Sequence, residues 1–230
     1  MSGNRVRGIH LVMSQDEYAE HRAKLVARLS LDRDVRDPRV LEAFRQVPRH
    51  EFVPESQRDN AYQDRALPLA EGQTISQPTM IAIMLEALLC QPTDRALEVG
   101  AGSGYAAALL GRLVDHVDAF EIRPAIAKKA SETLARLGIH NVSLHVGNGC
   151  RTGAGPCSYQ RILVSAGATR VPPSLTEKLA CGGRIVIPVG SSGSSQVLRI
   201  GTKRSSGVDW KRGVGCVFVP LIQETTGLDP

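Results

Sequence analysis

From residue 95 to residue 190 the apolar positions follow two alternating rhythms. Short apolar runs at 96–99, 116–121, 142–146, 161–165 and 184–189 read as strands. Between them lie segments of helical spacing: one opening at Tyr105, one over 124–137 that Gly138 stops, and one over 173–180. Strands that alternate with helices predict an α/β fold with a doubly wound, mostly parallel sheet. Beyond a turn of small residues at 190–195, runs at 196–203 and 214–219 predict an antiparallel hairpin at the sheet edge.

The pattern before residue 90 is different. Residues 1–13 read as a loose tail. Ser14 and Glu17 form an S-x-x-E capping box, and the helix it opens carries Tyr18, Leu25, Val26 and Leu29 on one face. Asp37 and Pro38 read as N-cap and first-turn proline of a second helix, with Val40, Leu41, Phe44 and Val47 inward and Pro48 as its stop. Residues 67–78, L-P-L-A-E-G-Q-T-I-S-Q-P, are too polar and proline-broken for core structure and predict an ordered loop. Ile81, Met84, Leu85, Leu88 and Leu89 then define a third helix, with Ser76 at the N-cap position. The expected organisation is one domain over 1–230, in which 1–90 form a helical, loop-bearing extension.

The candidate chemistry centres on R-A-L-E-V-G-A-G-S-G-Y, residues 95–105. A strand carries Glu98 near its end, three glycines follow at alternate positions (Gly100, Gly102, Gly104), and Tyr105 opens a helix. Such a turn lets backbone approach a ligand closely and aims helix N–H groups at it. A dinucleotide fingerprint needs G-x-G-x-x-G, and Tyr105 stands at its third glycine, which disfavours an oxidoreductase. The stretch resembles instead the first motif of S-adenosylmethionine-dependent methyltransferases. Glu121, about 20 residues on, ends the next strand where a ribose-binding acid belongs.

Composition narrows the field. With 42% hydrophobic residues the chain can bury a sizeable core, aliphatic rather than aromatic. The net charge of +5 is scattered, which predicts a solvated basic surface and no nucleic-acid partner. Five cysteines (Cys90, Cys150, Cys157, Cys181, Cys216) are odd in number and lack C-x-x-C spacing, which predicts neither a metal site nor a disulfide framework. The run at 9–13 is too short for a signal-peptide core, and the apolar segment at 80–90 contains Glu86 and is too short to span a bilayer. A soluble cytoplasmic protein, monomeric and without a membrane partner, is the expectation.

Six segments then match one family in order: V-P-R-H-E-F-V-P, A-Y-Q-D, G-Q-T-I-S-Q-P, L-E-V-G-A-G-S-G-Y, G-G-R-I-V-I-P-V-G and F-V-P-L. From about residue 35 to 221 the chain resembles protein-L-isoaspartate (D-aspartate) O-methyltransferases. The resemblance implies a seven-stranded, Rossmann-like methyltransferase sheet, S-adenosylmethionine as donor and S-adenosylhomocysteine as product. It implies methylation of the free α-carboxylate of L-isoaspartyl residues in peptides and proteins, a repair reaction. Ser76 corresponds to the family's active-site serine, and Thr74, Ile75, Ser76 and Ala166 to its substrate contacts. Thr74, Ile75, Glu98, Gly100, Gly102, Ser103, Gly104, Glu121, Ile122, Asn148 and Gly149 correspond to its cofactor contacts. Asp64 matches a loop acid expected to hold the substrate loop.

The chain departs from the family's pattern at Asn148, where Asp is usual, at Gln160, at the run 165–168, S-A-G-A in place of T-A-A-A, and at Ile222. These departures leave room for two alternatives: a dedicated relative that methylates an aspartyl side chain of a ribosomal peptide during maturation, and a non-catalytic nucleotide-binding module.

Overall fold

The computed structural model describes residues 13–31, 35–151, 155, 158–191 and 195–222. The tail expected at 1–13 falls outside these except for Met13, as do Cys157 and residues 192–194 of the small-residue turn at 190–195.

Helix α1 (Gln15–Leu29) begins at the Ser14 capping box, with both reciprocal bonds formed, and buries Tyr18, Leu25, Val26 and Leu29. Helix α2 (Pro38–Gln46) starts at the Asp37 cap. Two 3₁₀ turns, Arg49–Phe52 and Glu55–Asn60, carry the chain to a segment expected to be a loop. That segment is a small hairpin: β1 (Leu67–Pro68) pairs antiparallel with β2 (Thr74–Ile75). Glu71 and Gly72 turn its tip at φ 53° and 68°. Helix α3 (Pro78–Leu88) follows. Its N-cap is Gln77, not Ser76, because the residue before a proline is pushed out of the helical region. Leu89 does not extend the buried face either; it caps the helix in the left-handed region and is exposed.

The main sheet runs β5 (Val142–Val146), β4 (His116–Glu121), β3 (Arg95–Val99), β6 (Tyr159–Val164), β7 (Leu179–Gly190), β8 (Gln196–Arg204), β9 (Gly207–Cys216). The five strands from β5 to β7 are parallel, and β8 and β9 add antiparallel pairs at one edge. Helices α4 (Tyr105–Leu110), α5 (Pro124–Arg136) and α6 (Pro173–Lys178) complete the α/β alternation. Two boundaries move. Helix α6 stops at Lys178, and β7 starts five residues before the expected Arg184, at Leu179. Strand β9 lies at Gly207–Cys216 instead of 214–219, because the chain reverses at Ser205–Ser206 and pairs Arg204 with Gly207. Residues 217–219 leave the ladder; Gly167 N–H donates to Val219 O and Leu221 N–H to Gly167 O.

The strand order places the topological switch between β3 and β6, where the chain winds outward through β4 and β5 and then returns. Open α/β sheets bind ligands at the carboxyl ends of the strands flanking such a point. Here those ends carry Val99–Gly100 and Val164–Ser165, joined by a Ser165 N–H bond to Val99 O at 2.9 Å.

Candidate active site

The glycine turn is shaped by its own backbone. Gly100 N–H and Ala101 N–H both donate to Phe120 O (2.9 and 3.0 Å), and Gly104 N–H donates to Ala101 O (2.9 Å). Gly100, Gly102 and Gly104 have φ of 83°, 53° and 82°, a region that favours glycine. A Cβ on Gly102 would meet nothing within 4 Å, so it would project into open space, whereas one on Gly104 would lie 3.3 Å from Ala130 of α5. Gly102 therefore faces a ligand cradle. Gly104, expected as a cofactor contact, allows close packing of the turn on α5.

Tyr105 is fully buried, edge-on to Phe44 at 6.1 Å and tilted against Phe52 at 5.4 Å. The residue at the third-glycine position thus clamps the N-terminal extension onto the sheet.

Glu121 closes the turn from the neighbouring strand. Gly102 N–H donates to Glu121 Oε2 at 2.8 Å and Arg123 N–H to Oε1 at 2.9 Å. Glu121 lines a cavity of about 180 Å³ together with Ile122, Asn148, Gly149, Ala166 and Thr74. Gly149 admits no side chain there, since a Cβ would sit 2.9 Å from Phe120 Cβ. Asn148 is buried, and its Oδ1 accepts from Cys150 N–H at 3.0 Å. That bond fixes which end of the amide is which.

A second, tight cavity of about 30 Å³ continues from the first at Gly100 and Gly102, under Thr74, Ile75 and Ser76, with Ser103 and Glu98 in its wall. Glu98 is 0% exposed. The Ser165 hydroxyl donates to its Oε1 at 2.7 Å, while Oε2 has no partner among the described residues. Burial pushes the Glu98 carboxyl up to about 8, against the Ser165 bond and helped by the nearby Glu121 charge.

A groove of about 460 Å³ opens on the other side of Thr74 and Ser76, walled by Met80, Ser165 and residues 215–219. The three cavities share Thr74 and Ser165, so they form one trough along the carboxyl ends of β3, β4 and β6. All the site residues named from the sequence lie on this trough except Gly104.

Two supports set the Thr74–Ser76 segment. Asp64 reaches it from the A-Y-Q-D stretch: its carboxylate accepts from Thr79 N–H (2.9 Å), Thr79 Oγ1 (2.8 Å) and Gln77 Nε2 (3.1 Å). Burial alone would raise this carboxyl, but those donors outweigh it and hold it below its ordinary value. Asp64 thus caps α3 in place of Ser76, in keeping with the structural role expected for it. Arg49 supports the segment from below, and sequence reasoning missed it; its motif R-H-E-F gives no sign that the guanidinium turns inward.

Two departures from the family pattern also find their reasons. Gln160 Oε1 accepts from Arg95 N–H at 2.9 Å, fixing the start of β3. At Gly167 a Cβ would lie 2.3 Å from Gln196 Nε2. The glycine makes room for the buried Gln196, which donates to Phe218 O (3.2 Å) and accepts from Phe218 N–H (2.9 Å), holding the groove wall.

The doubly wound sheet, the glycine turn at its switch point and the acid ending the next strand define a Rossmann-like methyltransferase. A family model for protein-L-isoaspartate(D-aspartate) O-methyltransferase matches residues 20–226, and the chain belongs to that family. It is 47% identical over 206 residues to a protein-L-isoaspartate O-methyltransferase of Roseiflexus sp. (strain RS-1), covering 90% of this chain and 94% of that one. It is 45% identical over 224 residues to protein-L-isoaspartate O-methyltransferase 1 of Rhodopseudomonas palustris (strain HaA2), with 96% and 90% covered. A Plasmodium falciparum structure assigned as a protein-L-isoaspartate O-methyltransferase, in complex with S-adenosyl-L-homocysteine, superposes with a TM-score of 0.75 at 25% identity, covering 89% of this chain and 99% of that one. Among the described residues no helix is long and apolar enough to cross a membrane.

Proposed function

We propose that the chain transfers a methyl group from S-adenosylmethionine to the free α-carboxylate of L-isoaspartyl residues. The observation that carries this reading is the single trough in which a nucleotide-sized cavity at Glu121 meets a peptide-sized groove at Ser76. The fit to the donor rests on three features of this chain: the open space at Gly102, the paired acceptor oxygens of Glu121, and the partnerless Glu98 Oε2. Glu121 accepts the ribose hydroxyls, Asn148 and Gly149 border the adenine, and Thr74 and Ile75 cover the methionine arm.

Bound there, S-adenosylmethionine supplies an electrophilic methyl on a sulfonium. The acceptor carboxylate, with an ordinary pKa near ~3.5, is already ionised at neutral pH and needs no general base. The protein's task is positioning: one carboxylate oxygen in line with the methyl carbon as the carbon–sulfur bond breaks, worth ~7–11 kcal/mol at best. The Ser76 hydroxyl, at the junction of donor cavity and groove, donates to the other carboxylate oxygen. The neighbouring backbone nitrogen then attacks the ester carbonyl, methanol leaves with that nitrogen's proton, and the resulting succinimide hydrolyses in part to normal aspartate. The enzyme so read works as a monomer in the cytoplasm on exposed peptide segments.

The test follows one isoaspartyl peptide through repeated cycles with excess donor. The reading expects succinimide and then aspartyl peptide to accumulate. Methylation that leaves the isoaspartyl linkage untouched would place the methyl elsewhere and overturn it.

A further inference from the structure

The hairpin β1–β2 stands between two cavities. On one side Gln73 and Thr74 belong to the wall of the cavity at Glu121. On the other, Pro68, Leu69 and Ala70 face a separate cavity of about 420 Å³, opposite Val53 and, from α5, Ile126 and Ala130. Each strand of the hairpin is two residues long, far less than a hairpin needs to be stable by itself. The space behind Pro68–Ala70 leaves it without close packing on that side, so its position depends on what grips its tip.

At the tip, Arg123 Nη1 donates to Glu71 Oε2 at 2.9 Å. Glu71 holds φ 53° and ψ 35°, a left-handed conformation that is uncommon for a residue with a Cβ. Glycine or asparagine would make this turn with less strain. What glutamate adds is the carboxylate that meets Arg123. Arg123 has a second contact: its backbone N–H donates to Glu121 Oε1 at 2.9 Å. It also lines the cavity there, which Glu71 does not. The pair therefore ties together two walls of one cavity. One is the acid wall, Glu121 to Arg123; the other is the hairpin wall, Gln73 and Thr74, which runs on into Ser76.

We propose that Glu71 and Arg123 are positioning residues for methyl transfer: their ion pair latches the hairpin against the acid wall while the donor is held, and breaks to let S-adenosylmethionine in and S-adenosylhomocysteine out. This inference rests on the donor reading given above. A contact that breaks in every turnover has to be weak. The two side chains are 40% and 33% exposed, and ion pairs so placed add little to stability. The cavity behind Pro68–Ala70 gives the hairpin room to retreat without displacing core side chains. Closed, the same hairpin carries Thr74 and Ile75 onto the donor and sets Ser76 at the junction with the peptide groove.

The experiment follows the release of S-adenosylmethionine and of S-adenosylhomocysteine by stopped-flow displacement, with Tm measured alongside. Glu71→Gln keeps the side-chain length, removes the charge and touches no wall of the donor cavity. It is expected to release both ligands about twofold to fivefold faster, the range open to an exposed pair, with Tm nearly unchanged. Glu71→Arg, which sets two cations against each other, is expected to release them faster still. Adding Arg123→Glu to that variant restores an ion pair of reversed sense and is expected to slow release again, a coupling that a loosened fold would not show. Wild type in about 0.5 M salt, where exposed charges are screened, is expected to approach the rate of Glu71→Gln, and Glu71→Gln to respond much less. Release unchanged in Glu71→Gln and in salt, or no slowing in the charge-exchanged double variant, overturns the inference and leaves the donor reading intact. Wild type that binds neither ligand overturns the donor reading itself, and the inference with it.

Discussion

The guanidinium of Arg49, wholly buried, donates to the backbone carbonyl of Ser76 at 2.9 Å. It also donates to Ala61 O at 2.8 Å and lies 5.0 Å from the centre of the Tyr105 ring. One side chain thus ties the substrate segment to the extension and to the helix after the glycine turn. Burial pulls Arg49 down to about 10 from its usual value, so the fold keeps this charge in place against desolvation. Buried ions that stabilise little are kept where they fix geometry. Arg49→Met is therefore expected to reduce turnover and raise the KM for peptide, with donor affinity nearly unchanged, because Ser76 drifts while Glu121 and the glycine turn do not. Steady-state kinetics beside donor calorimetry check it. A loss of donor affinity equal to the loss of turnover would show that Arg49 supports the whole trough.

Glu121 has two tasks, holding Gly102 N–H and accepting the ribose hydroxyls. A charge-assisted bond contributes ~1.5–3 kcal/mol. Glu121→Ala is expected to weaken donor binding by roughly tenfold to a hundredfold. Unchanged affinity by calorimetry contradicts the placement of the ribose.

Gly167 and Gln196 form a matched pair. An alanine at 167 would displace the Gln196 amide and leave Phe218 N–H and O without their partners. Buried unsatisfied groups cost about 1–3 kcal/mol, so Gly167→Ala is expected to lower Tm by roughly 2–10 °C for a chain of this size. Thermal melts check it; an unchanged Tm means that the groove wall does not depend on Gln196.

Asn148 is held by its bond to Cys150 N–H, and an aspartate can accept the same bond. Its second oxygen then faces the adenine amino group as an ionised acceptor, and such bonds are roughly twice as strong as neutral ones. Asn148→Asp is expected to tighten donor binding by about 1 kcal/mol, near fivefold. Weaker binding under the same salt and pH would show that the Asn amide donates to an adenine ring nitrogen.

What the sequence reveals here follows from the range of the interactions. The β–α alternation is legible because strands buried on both faces read as continuous apolar runs, and the capping box of α1 and the Asp37 cap of α2 are local chemistry. Strand β9 differs from the expectation because its reversal, S-S-G, is short and its residues mix glycines and charges with few apolar positions on an edge. The trough was legible as glycines and acids at fixed spacing. Its supports were not. An arginine that turns inward 27 residues before the serine it holds, an aspartate that caps a helix from another segment, and a glycine matched to a distant glutamine are set only when the chain has folded.

The central claim is the choice of acceptor. The direct measurement is methyl transfer to an isoaspartyl peptide and to its aspartyl twin of the same sequence, as kcat/KM, with Ser76→Ala in parallel. The account expects transfer to the isoaspartyl peptide in large excess over the twin, and a fall in kcat in Ser76→Ala with donor affinity kept. Equal methylation of the two peptides, or transfer to the aspartyl twin alone, would contradict it.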